Sequence, residues 1–193
     1  MGLIIKDKIA QLKKGYPTVS DKYNVQGGVY VGDGDALHFG DLLAYSGTTG
    51  HYVKLAAGDG VADLAGICLA TNVKLANKYP GDSNAKVETL KGEAFNLLVR
   101  GFIAVAISSA ALVTAKAMPE TTDEEKAAKK AAIKAANEAI VTLVTTSEGA
   151  PVYLDANGSF STDTAGTVVP GVYFMGVAEI IDGEALAEIN YKM

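Results

Sequence analysis

Few residues of this chain have the types and spacing that chemistry requires. The two histidines are His38 and His51. Asp41 and Ser46 stand near them, so a Ser-His-Asp set can be drawn. A short chain offers many such triples, however, and no motif marks this one. Asp33-Gly34-Asp35, followed by Asp41, gathers carboxylates of the kind that hold Ca²⁺. The calcium-loop spacing with its closing Glu is missing, so the stretch reads as a polar turn. Gly32-Asp33-Gly34 and Gly58-Asp59-Gly60 lack the Gly-Lys-Ser/Thr and the following helix of a phosphate loop. Cys68 is the one cysteine and lies in the apolar run Ile67-Cys68-Leu69. It reads as a buried, inert thiol, with no partner for an intrachain disulfide and no Cys/His cluster for zinc. The expectation is therefore a chain that is not an enzyme and has no catalytic, metal or cofactor site.

The elements that would position any site are mostly strands. Val29 and Val31 lead into the turn at Asp33-Gly34-Asp35. Leu42-Leu43-Ala44-Tyr45 and His51-Tyr52-Val53-Lys54-Leu55 flank the turn Ser46–Gly50. Leu64 to Val73 is an apolar strand running through Gly66, and residues 77–84 form a loop by composition. Lys86–Leu90, Ala94–Val99 and Phe102–Ile107 read as three further strands. The last is apolar on both faces, as a central strand is. Asn157-Gly158 is a strong hairpin signal between Gly149–Leu154 and Ser159–Thr162. Val172–Ile181 and Ala185–Tyr191 close the chain.

Two segments depart from this pattern. Residues 1–24 carry five lysines, and Gly15-Tyr16-Pro17 interrupts any helix. They read as an N-terminal arm outside the core, with Ile4, Ile5, Tyr16, Pro17 and Tyr23 as apolar anchors for a partner. The second segment is an Ala/Lys-rich helical insertion at about 113–145. Thr122 and Glu125 match a capping box, and the spacing predicts a helix over 123–139, with a strand at Ile140–Val144. Its apolar stripe, Ile133, Ala136 and Ile140, is too thin to bury much area. It is therefore expected at the periphery, completed by a sister chain.

The strands also repeat. Gly40–Tyr45, a turn ending at Gly50, Tyr52 and Ala65-Gly66-Ile67-Cys68 echo Gly149–Leu154, a turn ending at Gly158, Phe160 and Met175-Gly176-Val177-Ala178. A Gly inside a strand marks a bulge or a tight barrel bend. Two similar halves closing a small barrel are expected. The fold class is thus mainly β: a small Gly-rich β-barrel over 25–193, with an inserted α-helix and an N-terminal arm.

Composition agrees. Hydrophobic residues make up 49% of the 193, with 21 Gly and no Trp, so a core of small side chains and tight turns is available. The net charge of −5 offers no basic face for nucleic acid. No apolar run approaches the ~18 residues of a membrane span. The first residues lack signal-peptide architecture, and Gly2 is not followed by the Ser or Thr of a myristoylation signal.

Four stretches resemble the capsid decoration (cement, or head auxiliary) proteins of tailed bacteriophages. Gly149 to Gly158 is similar to their G-x-x-V-Y-x-D-x-x-G hairpin, and Gly176-Val177-Ala178 to the strand that follows it. Ala185–Tyr191 is similar to their last alternating strand, and Gly101–Ile107 to their apolar G-x-x-x-V-x-V strand. The resemblance covers roughly residues 27–112 and 146–193, and the helix departs from its compact form. It implies a structural virion protein on the outer capsid surface, assembled in the host cytoplasm. The implied partners are the major capsid protein and sister chains in a homotrimer, reached by a terminal arm. The alternative is another β-barrel binding module without catalysis, such as a tail or baseplate component. A carbohydrate-binding domain is disfavoured by the lack of Trp.

Overall fold

The computed structural model describes residues 12–18, 24–33, 36–69 and 88–192. The chain is mainly β, with a closed five-stranded barrel, further strands and two helices. The strands are β1 (Asn24–Tyr30), β2 (Leu37–His38), β3 (Leu42–Tyr45), β4 (His51–Lys54), β5 (Leu64–Cys68), β6 (Glu88–Thr89) and β7 (Ala94–Ala106). After the helices α1 (Ala110–Lys116) and α2 (Asp123–Thr146) come β8 (Pro151–Leu154), β9 (Phe160–Ser161), β10 (Thr167–Ile181) and β11 (Glu184–Lys192). The large sheet runs β1-β4-β3-β5-β7-β11-β10-β8-β9, and a further β1–β7 pairing closes its first five members into the barrel.

The long strand β7 is shared. Its first half lies between β1 and β5, with Leu98 opposite both Val25 and Ile67. Its second half pairs with β11, Ala106 opposite Leu186 and Ile103 opposite Ile189. Two strands were expected here. Gly101, at φ 143, bends the backbone without ending the ladder.

The echo in the sequence is a repeat in space. In the first half, β3 lies between β4 and β5, antiparallel to both; in the second, β8 lies between β9 and β10 in the same way. The row Leu42–Ile67–Leu98 across β3, β5 and β7 is matched by Pro151–Tyr173–Asn190 across β8, β10 and β11. The hairpin pair Tyr45–Tyr52 is matched by Leu154–Phe160. Just as β1 runs parallel to β4, the chain beyond β7 meets β9 in a parallel bridge, Ser108 to Ser161. Ser108 donates to Phe160 O at 2.8 Å and accepts from Thr162 N at 3.2 Å. The first half closes as a barrel, and in the second the single Ser108–Ser161 bridge links β9 back to the chain beyond β7 as a looser ring, where the sequence had suggested two halves of one barrel. Gly66 is not the counterpart of Gly176: it faces Leu43, whereas Gly176 (φ +73) sits at a bulge against β11.

The interior of the first ring is a cluster drawn from all five strands, including Tyr30, Leu43, Tyr52, Ala65 and Leu97. Cys68 is buried there, as its apolar neighbours predict. The larger core spans the second ring, the helices and the outer face of the first ring.

Helix α2 begins where the capping box places it, with Thr122 Oγ1 accepting from Glu125 N at 3.1 Å. It runs on to Thr146, so Ile140–Val144 is helical and not the expected strand. Helical spacing lines Ile140 and Val144 up with Ala136, and all three are buried; tertiary packing overrides the strand preference of the β-branched residues. The short α1, capped by Ser109 Oγ accepting from Leu112 N at 3.2 Å, was not separated from it by the sequence.

Candidate functional site

The residues with chemical potential serve local structure. Asp41 Oδ2 accepts from the backbone N–H of His38 at 2.8 Å, and the His38 ring lies 3.7 Å from it. Asp41 is also ion-paired with Lys54 at 3.0 Å and Lys14 at 4.0 Å. Ser46 lies at the exposed end of the β3–β4 hairpin, its backbone N–H donating to His51 O at 3.1 Å. Asp59 and Asp63 accept from the N–H groups of Ala56 and Gly60, at 2.7 and 2.8 Å. Asp33 pairs with Lys91. Among the described residues, no group of His, Cys, Asp and Glu could hold a metal, and no helix is long and apolar enough to cross a membrane.

Asp41, Lys14 and Lys54 line a cleft of about 190 Å³ where the rings meet. The tip of the second hairpin, Asn157 to Phe160, forms its other wall. Gly58 N donates to Ala156 O at 3.2 Å, and a Cβ on Gly158 would stand 2.9 Å from Ala56 O. Lys14 adds a second tie, 3.9 Å from Glu184 of β11. The arrangement clasps the rings together.

Of the expected arm anchors, Ile4, Ile5 and Tyr23 lie outside the described residues. Tyr16 and Pro17 are half-buried and pack against the strands of the chain. Pro17 pairs with Ile103, so this segment occupies the edge of β7 opposite β11. Tyr16 packs edge-on against Phe39 at 6.4 Å, and burial pushes its hydroxyl pKa up. Thr18 Oγ1 donates to the buried Glu188, and Leu12 is buried against Ala104 and Leu186. The barrel therefore begins before residue 25. Of the expected self-association residues, Ala136 and Ile140 are buried in the chain's own core, with Ile133 packed against it. The stripe is completed by β10 and β11, and needs no sister chain.

What stays open is an apolar face on the second ring. Tyr173 and Val168 of β10 are 43% and 47% exposed, and Leu143 of α2 is also exposed. Pro151 and Tyr153, the strand partners of Tyr173 and Val168, line a cleft of about 140 Å³ with Leu143, Thr162, Thr164 and Phe174, among others, and no charged side chain is found among the described residues of its walls. An engineered cavity of about this size accepts one aromatic ring, so the cleft has room for one or two small uncharged side chains. An apolar centre with hydroxyls and no charge is the composition of a protein-docking core. The linear sequence hides this face, because its members come from α2, β8 and β10.

No protein-family model matches this chain, and no curated protein is found similar to it.

Proposed function

We propose that this chain is a non-catalytic structural protein of a phage virion, bound to the outer surface of the capsid, which it decorates and stabilises. One observation supports this reading above others. The four stretches that resemble decoration proteins are separated in sequence, yet they are neighbours in one ring. Gly101–Ile107 lies in and just beyond β7, Gly149–Gly158 contains β8 and its turn, Gly176–Ala178 lies in β10, and Ala185–Tyr191 lies in β11. The hairpin has the chemistry of its motif: Asp155 Oδ1 accepts from Asn157 N and Ser159 N, both at 2.9 Å, and Gly158 takes φ 72.

In this reading the major capsid protein is the partner, and the residues ahead of Leu12, Ile4 and Ile5 among them, supply the contact. The chain acts as a homo-oligomer, a trimer by the resemblance. Sedimentation with purified empty capsids, and separately with free capsid subunits, tests it. The chain should pellet with assembled shells and leave free subunits unbound, because a decoration protein reads a surface built from several subunits. Equal binding to both would sink the reading. Pelleting with tails or baseplates alone would move the chain to the alternative.

A further inference from the structure

We infer that the apolar face of the second ring is a self-association site, and that it receives the β3–β4 hairpin tip, Ser46–Gly50, of a second copy of this chain. The site follows from the internal repeat and stands whether or not the capsid reading does.

The repeat pairs each position of one ring with a position of the other. On the first ring, Leu42, Leu64 and Ile67 are 9%, 4% and 0% exposed, in the core cluster that spans both rings. The matching positions on the second ring are Pro151, Val168 and Tyr173. Pro151 is half-buried, while Val168 and Tyr173 stand open. Residues of one structural role are therefore covered in the first ring and bare in the second.

On the first ring, the second hairpin tip, Ala156 to Gly158, packs on Leu55–Gly58, and Asn157 to Phe160 share a cleft with Leu42 and Lys54. The matching platform on the second ring is residues 163–166, reached from Ser161 and Thr162 as Leu55 is reached from Val53 and Lys54. Thr162 and Thr164 line the apolar cleft. The cleft is thus the unoccupied counterpart of the seam between the rings, with α2 as an extra wall.

The matching plug is the first hairpin tip, which stands exposed. Residues 45–49 are exposed, Tyr45 at 59%. Gly50 (φ +78) holds the place of Gly158 (φ +72), but a Cβ on Gly50 would meet nothing within 4 Å. One chain thus carries both an exposed plug and an exposed socket. The contact is heterologous, so copies join head to tail and either close into a ring or run on. Closure after three copies would give the trimer proposed above.

Two chains, one carrying Thr49→Cys and the other Thr164→Cys, should form a disulfide-linked dimer under air oxidation when mixed. Neither should do so alone; Cys68 is buried and does not compete. Val168→Glu should raise the midpoint concentration of self-association, read by sedimentation equilibrium, roughly tenfold or more, with circular dichroism unchanged. A disulfide dimer from either variant alone, no dimer from the mixture, or unchanged association of Val168→Glu would each overturn the inference. A wild-type chain that stays monomeric at millimolar concentration would do the same.

Discussion

The backbone N–H of Gly15 donates to the carbonyl of Ala104 at 2.8 Å, and so ties the end of the expected arm to the strand shared by both rings. Tyr16 O returns the contact by accepting from Ala104 N at 3.2 Å, and Thr18 N donates to Phe102 O at 3.1 Å. Leu12 then covers Ala104 and Leu186, which would otherwise face water.

Truncation should separate the two parts of this segment. Removing residues 1–11 should leave the unfolding midpoint nearly unchanged while lowering capsid pelleting. Removing residues 1–18 strips the Leu12 cover and the ladder to β7. It should cost several kcal/mol, given about 1.5–3 kcal/mol for one buried Leu and about 1 kcal/mol per net hydrogen bond. Urea unfolding of both truncations decides it, and equal stability would return residues 12–18 to a detachable arm.

Ile140→Ala should destabilise the folded monomer by about 2–5 kcal/mol, because a fully buried branched side chain leaves a cavity. In a Val168→Glu background, where the proposed self-association is weakened, the urea midpoint should not depend on protein concentration. A midpoint that rises with concentration would mean that α2 is completed by another chain.

Gly66→Ala should cost about 1–3 kcal/mol. The added Cβ would stand 2.5 Å from Leu97 Cδ1 and 2.8 Å from Leu98 O, and the carbonyl cannot move without disturbing β7. Gly47→Ala supplies the control: it carries a strained φ of 84 but meets no neighbour. Thermal melts should show the larger loss for Gly66→Ala in spite of that strain.

Stability should fall as pH rises above about 10. Burial pushes the Tyr191 hydroxyl pKa well above its ordinary value of 10.0, and Tyr16 and Tyr52 shift the same way. Above pH 10 the unfolded chain releases these protons while the folded chain keeps them. The stabilisation is complete below the unfolded value and is lost as pH climbs through the folded one. Urea midpoints from about pH 9 to about pH 11 should drop less in Tyr191→Phe than in the parent. An equal drop would place the alkaline loss on other groups.

Much of the fold was legible because its signals are local. The Asn157-Gly158 turn, the Thr122–Glu125 capping box and the apolar run around Cys68 each depend on neighbours within a few residues, and each took the expected form. Signals failed where a distant contact outweighed the local one. Ile140–Val144 carries strand-forming residues, but the buried side chains of β10 and β11 hold it helical. Arg100-Gly101 looks like a break, but hydrogen bonding on both edges of β7 carries the strand through it.

The sequence by itself determined the class of the molecule: a Gly-punctuated β chain with one capped helical insertion and a doubled hairpin unit. Turn geometry, capping and side-chain period act over a few residues and are written in residue order. Tertiary structure alone decided that the doubled unit makes two rings on one strand, and that residues 12–18 belong to them. It also decided that Pro151, Val168 and Tyr173 stand open while their counterparts Leu42, Leu64 and Ile67 are covered. Matching residues of a repeat have the same local preferences. Which of them meets water depends on what packs against each ring, and that is a property of position in space.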